Sequence, residues 1–180
     1  MLRAAHTSMR LHAGFSMIEA LVATVVLSFG LLALAGFQLR VLSDSVGASN
    51  KNVAVQLAGD IADRIRANLV AGAATDSPYR VDAWSLAGAT APSPSCTGAT
   101  ANCSAAQLAA EDMWIWKRAV AQALPGGQGN VVAKADAGGL LFVHVAWDEP
   151  AVVNPVLPDA GWACPAGKAC QEVIVAVPQP

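Results

Sequence analysis

The chain has 180 residues, is 54% hydrophobic, and carries a formal charge of −2 at pH 7 from 11 basic and 13 acidic side chains. That length holds one domain of ordinary size plus a helical stalk, and the absence of a basic stripe leaves no basis for nucleic-acid binding. All four Cys lie past residue 95, which suits two disulfides in an oxidising compartment, a periplasm or cell surface.

The first fourteen residues are a short basic leader with Arg3 and Arg10, no acid, and Gly14 at its end. From Phe15 to Phe37 follows an apolar run whose single charge is Glu19. As a helix this run spans roughly 34 Å, enough to cross a hydrocarbon core. A carboxylate inside such a span costs about 2.5–3.5 kcal/mol by insertion scales. No Lys or Arg lies between Phe15 and Arg40 to offset that cost. A cut between Gly14 and Phe15 would take the formal charge to −4, because it removes Arg3 and Arg10 and no acid. It would also create an α-amino group with a reference pKa of about 8. Glu19 then has a cation at similar membrane depth, on its own chain or on a neighbouring copy.

The wording Gly14-Phe15-Ser16-Met17-Ile18-Glu19 ahead of a long apolar run resembles the class III signal of type IV pilins and pseudopilins. The resemblance implies that a prepilin peptidase cleaves after Gly14 and methylates Phe15. It also implies that Glu19 pairs with a neighbouring subunit's N-terminus during assembly. Two plainer readings compete. A secretory signal could use Ala33-Leu34-Ala35 as its cleavage site, but Glu19 would then sit inside its apolar core. A simple single-pass anchor gives Glu19 no purpose.

Within the run, Ser16, Ala20, Thr24 and Ser28 recur every fourth residue on one helix face. Small and hydroxyl side chains there permit close helix approach and interhelical hydrogen bonds, or the hydroxyls bond back to their own helix. Gly30 and Gly36 weaken the helix by about 1 kcal/mol each. Beyond the run the helix is expected to continue to about Val70. Its apolar stripe is Val46, Val53, Ala54, Leu57, Ala58, Ile61, Ile65 and Leu69, with Asp60–Arg64 and Asp63–Arg66 as solvent-side pairs. Gly47, Ser49 and Asn50 are poor helix formers, and Asn68 and Gly72 fit the helix end. This divides the chain into a leader (1–14), a transmembrane and assembly half-helix (15–37), a periplasmic half-helix (38–70) and a globular domain (71–180).

Residues 71–103 are rich in Gly, Ala, Ser, Thr and Pro and read as a variable loop, with short extended pieces near Tyr79–Val81 or Trp84–Leu86. Ser104 to Gln107 has capping-box spacing, opening a helix to about Leu124 that Pro125-Gly126-Gly127 stops. Its apolar side is taken as Leu108, Ile115, Trp116, Ala119, Val120 and Ala123, with Trp116 inside and Trp114 partly exposed. Asn130–Ala135 and Leu140–Trp147 read as a hairpin across Asp136-Ala137-Gly138-Gly139, and Glu172–Val177 as a third strand after the Pro-rich stretch Pro150–Gly167. Leu141, Val143, Val145 and Trp147 share one face, with His144 on the other. The expected class is α+β, a pilin-like fold with a long N-terminal amphipathic and transmembrane helix packed on a small antiparallel sheet.

Four Cys allow three connectivities. Local pairing, Cys96 with Cys103 and Cys164 with Cys170, is the expectation, because each bond would staple a loop. A zinc site without C-x2-C knuckles is the rival. Little supports an enzyme or a cofactor. His6 and His12 fall in the leader, leaving His144 as a packing or surface residue. Glu111-Asp112 and Asp148-Glu149 read as solvated faces.

A Trp-containing helix ending Leu124-Pro125-Gly126, a strand ending Val145-Ala146-Trp147, and Cys164…Cys170 before a Val-rich strand resemble the PilV minor pilins, the type IV pilus modification family. That resemblance implies a subunit held in the inner membrane by a single pass, with its globular domain periplasmic, that then joins the pilus at the cell surface. Its implied partners are the prepilin peptidase, other minor pilins, the major pilin and the inner-membrane assembly platform. The implied role is in a tip or initiation complex supporting pilus assembly, twitching motility and adhesion. The alternatives are a minor pseudopilin of a type II secretion system and a membrane-anchored periplasmic binding module.

Overall fold

The computed structural model describes residues 16–88, 90–98, 101–133, 139–149 and 163–178. Its elements in chain order are α1 (Met17–Ala67), α2 (Leu69–Ala73), β1 (Val81–Ser85), α3 (Ala105–Ala123), β2 (Gln128–Ala133), β3 (Leu140–Asp148) and β4 (Lys168–Ala176). The chain divides into two units within α1, between Ser45 and Val46. In the first unit every described residue, from Ser16 to Ser45, is exposed.

The second unit is built on a four-stranded antiparallel sheet in the order β1-β2-β3-β4. One sheet face, with Val131, Leu141, Val143, Val145, Trp147 and Val175, shares a single core with the last part of α1 and with α3. The class is therefore α+β, an apolar-led long helix packed on a small antiparallel sheet, consistent with a pilin fold.

α1 buries Ala54, Ala58, Ile61, Ala62 and Ile65. The spacing of this set is the expected one, but both ends of the expected stripe fail. Val46 is 60% exposed, seven residues ahead of the first stripe member that packs, Val53, and Leu69 is 44% exposed. Leu69 misses because Asn68 ends α1, so the helical phase does not carry across it. The Asn68 side chain instead accepts from the Ala71 backbone to cap α2 and donates to the Ala105 carbonyl at 2.8 Å.

α3 begins as expected, with Ser104 and Gln107 making both bonds of a capping box. Its buried apolar face is Ala109, Met113, Trp116 and Val120. The expected Leu108 and Ala123 are exposed, since the face is centred on the Trp116 side of the helix. Trp116 sets that centre. Its indole lies against Gly129, where an added Cβ would overlap the ring, and its Nε1 donates to the Leu57 carbonyl of α1 at 2.8 Å.

β2 and β3 pair as the expected hairpin, with Gln128 opposite Ala146 and Ala133 opposite Leu141. Of its turn, Asp136, Ala137 and Gly138 lie outside the described residues, as do Pro150 to Trp162 of the Pro-rich stretch. The sheet has one strand more than expected. Residues 81–85, expected only as short extended pieces near Tyr79–Val81 or Trp84–Leu86 within a loop, pair with β2 through a shifted register, Val81 with Val131 and Ser85 with Gly129. The last strand also starts earlier, at Lys168, because it ladders along the whole of β3.

Two acids on α3 correct the reading of a solvated face. Glu111 and Asp112 are each only 7% exposed. Both are satisfied by donors far off in sequence: Asp112 by Arg64 and Tyr79, Glu111 by Ser95 and the Cys96 backbone. His144 faces away from the core helices as expected but is fully buried. Its ring nitrogens lie 2.7 Å from Asn130 Oδ1 and 2.8 Å from Glu172 Oε2. Burial lowers its pKa, against the opposing pull of Glu172.

Candidate assembly site

The candidate site is the first turn of α1. The helix begins as the Ser16 carbonyl accepts from the Glu19 and Ala20 backbones at 3.0 and 3.2 Å. Glu19 thus lies in the first turn of the helix, where the positive dipole end favours a carboxylate. This support comes from helix position and is independent of any cleavage. It is worth at most about 2 kcal/mol, against about 2.5–3.5 kcal/mol for an acid in a membrane helix. The dipole alone falls short, and a cation is still called for. Glu19 forms no ion pair among the described residues. Gly14 and Phe15, the residues of the expected cleavage, lie outside the described residues.

Among the described residues, the large side chains around Glu19 are apolar. Met17, Ile18, Leu21, Val22, Val25, Val26, Phe29 and Leu32 are exposed, as are the large apolar side chains on to Leu42. None of the most apolar window of α1 is buried, and the helix is long and apolar enough to cross a membrane. On the small-residue face, Thr24 Oγ1 donates to the Leu21 carbonyl at 2.8 Å and Ser28 Oγ to the Thr24 carbonyl at 2.7 Å. The Thr24 and Ser28 hydroxyl protons are therefore spent inside the helix. What the face offers a neighbour is small size and close approach.

The four Cys form two bonds. Cys96 and Cys103 are joined at 2.01 Å, and Cys164 and Cys170 at 1.96 Å. With no free thiol, the zinc reading has no ligands, and no metal-binding cluster of His, Cys, Asp or Glu occurs among the described residues. The lone buried His144 is a packing residue held by Asn130 and Glu172. Sequence reasoning missed Tyr79, the Arg64–Asp112 pair and the grip of Glu111 on Ser95 and Cys96. The local signal for them was two adjacent acids within a helix that otherwise carries a core-facing apolar side.

Residues 36–114 match the Tt1218-like family model, described as type IV pilin Tt1218. No curated protein and no solved structure matches the chain. The matched span runs from Gly36 through the packed part of α1, β1, the Cys96–Cys103 pair and half of α3. It does not include residues 14–19, so it is independent of the N-terminal wording that first suggested the same family. The match supports a type IV pilin, a structural protein that works with other pilins in surface pili, without singling out the PilV minor pilins. Together with the apolar helix and the α+β fold, it makes this chain similar to membrane-anchored pilins.

Proposed function

We propose that the chain is a minor type IV pilin of the PilV kind. In this reading a prepilin peptidase removes residues 1–14 at the Gly14–Phe15 bond and methylates the Phe15 amine. Residues 15–37 hold the subunit in the inner membrane as a single pass, residues 38–70 continue the helix into the periplasm, and residues 71–180 form the periplasmic domain. The subunit then passes through the inner-membrane assembly platform into the pilus with other minor pilins and the major pilin. There it takes part in priming or the tip, and supports twitching motility and adhesion.

One observation carries the reading: Glu19 is the single charge between Ser16 and Phe37, a span of helix exposed throughout, and it has no ion-pair partner among the described residues. A neighbour's N-terminal ammonium at the same depth supplies that partner and is created only by the cut. The bond pairs one subunit with the next, so it drives assembly rather than the folding of one chain.

The test is a Glu19→Ala variant as sole copy. It should still insert and fold, with both disulfides formed, and be lost from sheared pili. Piliation and incorporation equal to the unaltered chain would end the proposal. Mass spectrometry of the chain taken from pili should show an N-methylated Phe15. A chain starting at Met1 or at Gly36 would contradict it.

A further inference from the structure

Along α3, four polar side chains converge on one stretch of chain, residues 79–96. Asp112 Oδ2 accepts from the Tyr79 hydroxyl at 2.6 Å. Lys117 Nζ donates to Ser85 Oγ. Trp114 Nε1 donates to the Gly88 carbonyl at 2.8 Å. Glu111 takes two donors with one carboxylate, Ser95 Oγ at 3.0 Å and the Cys96 backbone N–H. Glu111, Asp112 and Lys117 are all buried, so each bond is made where water competes poorly, and losing it leaves a desolvated group unpaired. These contacts fall on both sides of β1 and at its last residue. None depends on Cys103.

The two disulfides sit in unlike surroundings. Cys170 lies in the β3–β4 ladder opposite Ala146, and its partner Cys164 is buried. Cys96 and Cys103 are both half-buried and lie outside any strand or helix. Thiol–disulfide exchange needs a thiolate to reach sulfur; Cys170 is half-buried too, so what favours the Cys96–Cys103 pair is that both of its cysteines are half-buried and neither lies in a strand.

We propose that the Cys96–Cys103 bond is a reversible thiol-exchange site for small-molecule thiols such as glutathione, and that Glu111 rather than the bond keeps Cys96 in place. Exchange starts when a thiolate attacks one of the two sulfurs and displaces the other as a thiolate, leaving a mixed disulfide. A second thiolate attacks that mixed disulfide, releasing the oxidised small molecule and leaving two protein thiols after protonation. Glutathione disulfide reverses both steps. Throughout, β1 stays paired with β2 because α3 still holds Tyr79, Ser85, Gly88 and Cys96. This inference does not rest on the filament reading, and failure of either leaves the other standing.

The experiment uses the full chain in detergent with graded reduced glutathione, quenching by alkylation and mapping by mass spectrometry. Cys96 and Cys103 should be alkylated before Cys164 and Cys170, and the amides of residues 81–85 should keep their hydrogen-exchange protection once that bond is open. On return to glutathione disulfide, Glu111→Ala should slow closure of Cys96–Cys103 about tenfold, Glu111→Gln should slow it less, and Cys164–Cys170 should close at an unchanged rate. Opening of Cys164–Cys170 first, loss of protection in β1 on opening Cys96–Cys103, or an unchanged closure rate in Glu111→Ala would each overturn the proposal. So would slowing at both bonds, which would mark Glu111 as a general folding residue.

Discussion

Arg64 and Asp112, 48 positions apart in the chain, meet at 2.9 Å, joining the end of α1 to the middle of α3. The same carboxylate accepts from the Tyr79 hydroxyl, and the same guanidinium holds Asp60 at 3.0 Å. Asp112 is thus the acceptor on which two helices and the approach to β1 converge, and the network decides how α3 is set against α1.

Removing that acceptor should be costly. Asp112→Ala takes away the short acceptor of a buried phenol, leaving it the Arg64 carbonyl at 3.5 Å, and leaves Arg64 with only Asp60. Arg64 is one-third exposed and keeps a partner, so solvent recovers part of the loss. The expected destabilisation is about 2–3 kcal/mol. Asp60→Ala, at an exposed i,i+4 pair, should cost about 0.5 kcal/mol or less. Urea midpoints of the detergent-solubilised chain compare the two.

Alkaline pH offers a second reading of the network. Burial raises the Tyr79 phenol pKa above its ordinary value of 10, and Asp112 raises it further, against Asn68 and Arg64. Above about pH 10 an unfolded chain gives up the phenolic proton while the folded chain keeps it. The unfolded state then binds fewer protons, so this contribution is whole below about pH 10 and is lost as pH rises. Tyr79 is the chain's one Tyr, so an absorbance titration of tyrosinate reports it directly and should show ionisation delayed until the protein unfolds. Tyr79→Phe should flatten the alkaline fall in stability.

Gly129 is required by contact with Trp116. A methyl group there would enter the space of the indole, which cannot withdraw without giving up its bond to the Leu57 carbonyl. Gly129→Ala should therefore destabilise by about 1–3 kcal/mol, despite alanine's ordinary advantage in backbone entropy. The midpoint of thermal unfolding followed by Trp fluorescence would detect it.

At the start of α3, Ser104 accepts from the Gln107 backbone at 3.2 Å while the Gln107 side chain accepts from the Ser104 backbone at 2.9 Å. Ser104→Ala should cost about 1 kcal/mol. Both disulfides should still form in this variant, as the loss is confined to one helix end; peptide mapping of the oxidised chain checks that.

The sequence by itself determined what depends on near neighbours. The apolar run and its lone Glu19, the capping box at Ser104, the Pro125 stop, the alternation along β3 and the period that buries Ala54, Ala58, Ile61 and Ile65 are all set within a few residues. Tertiary structure alone decided which polar groups go inside. Glu111, Asp112 and Lys117 have the pattern of a solvated face, and burying them is tolerable only because their partners arrive from 15 to 48 positions away. It also decided that residues 81–85 are a strand, since an edge strand of mixed composition gains its hydrogen bonds from β2. The same holds for where the stripe on α1 begins to pack: an amphipathic period is identical with or without a sheet beneath it, and the sheet's extent is a property of the fold.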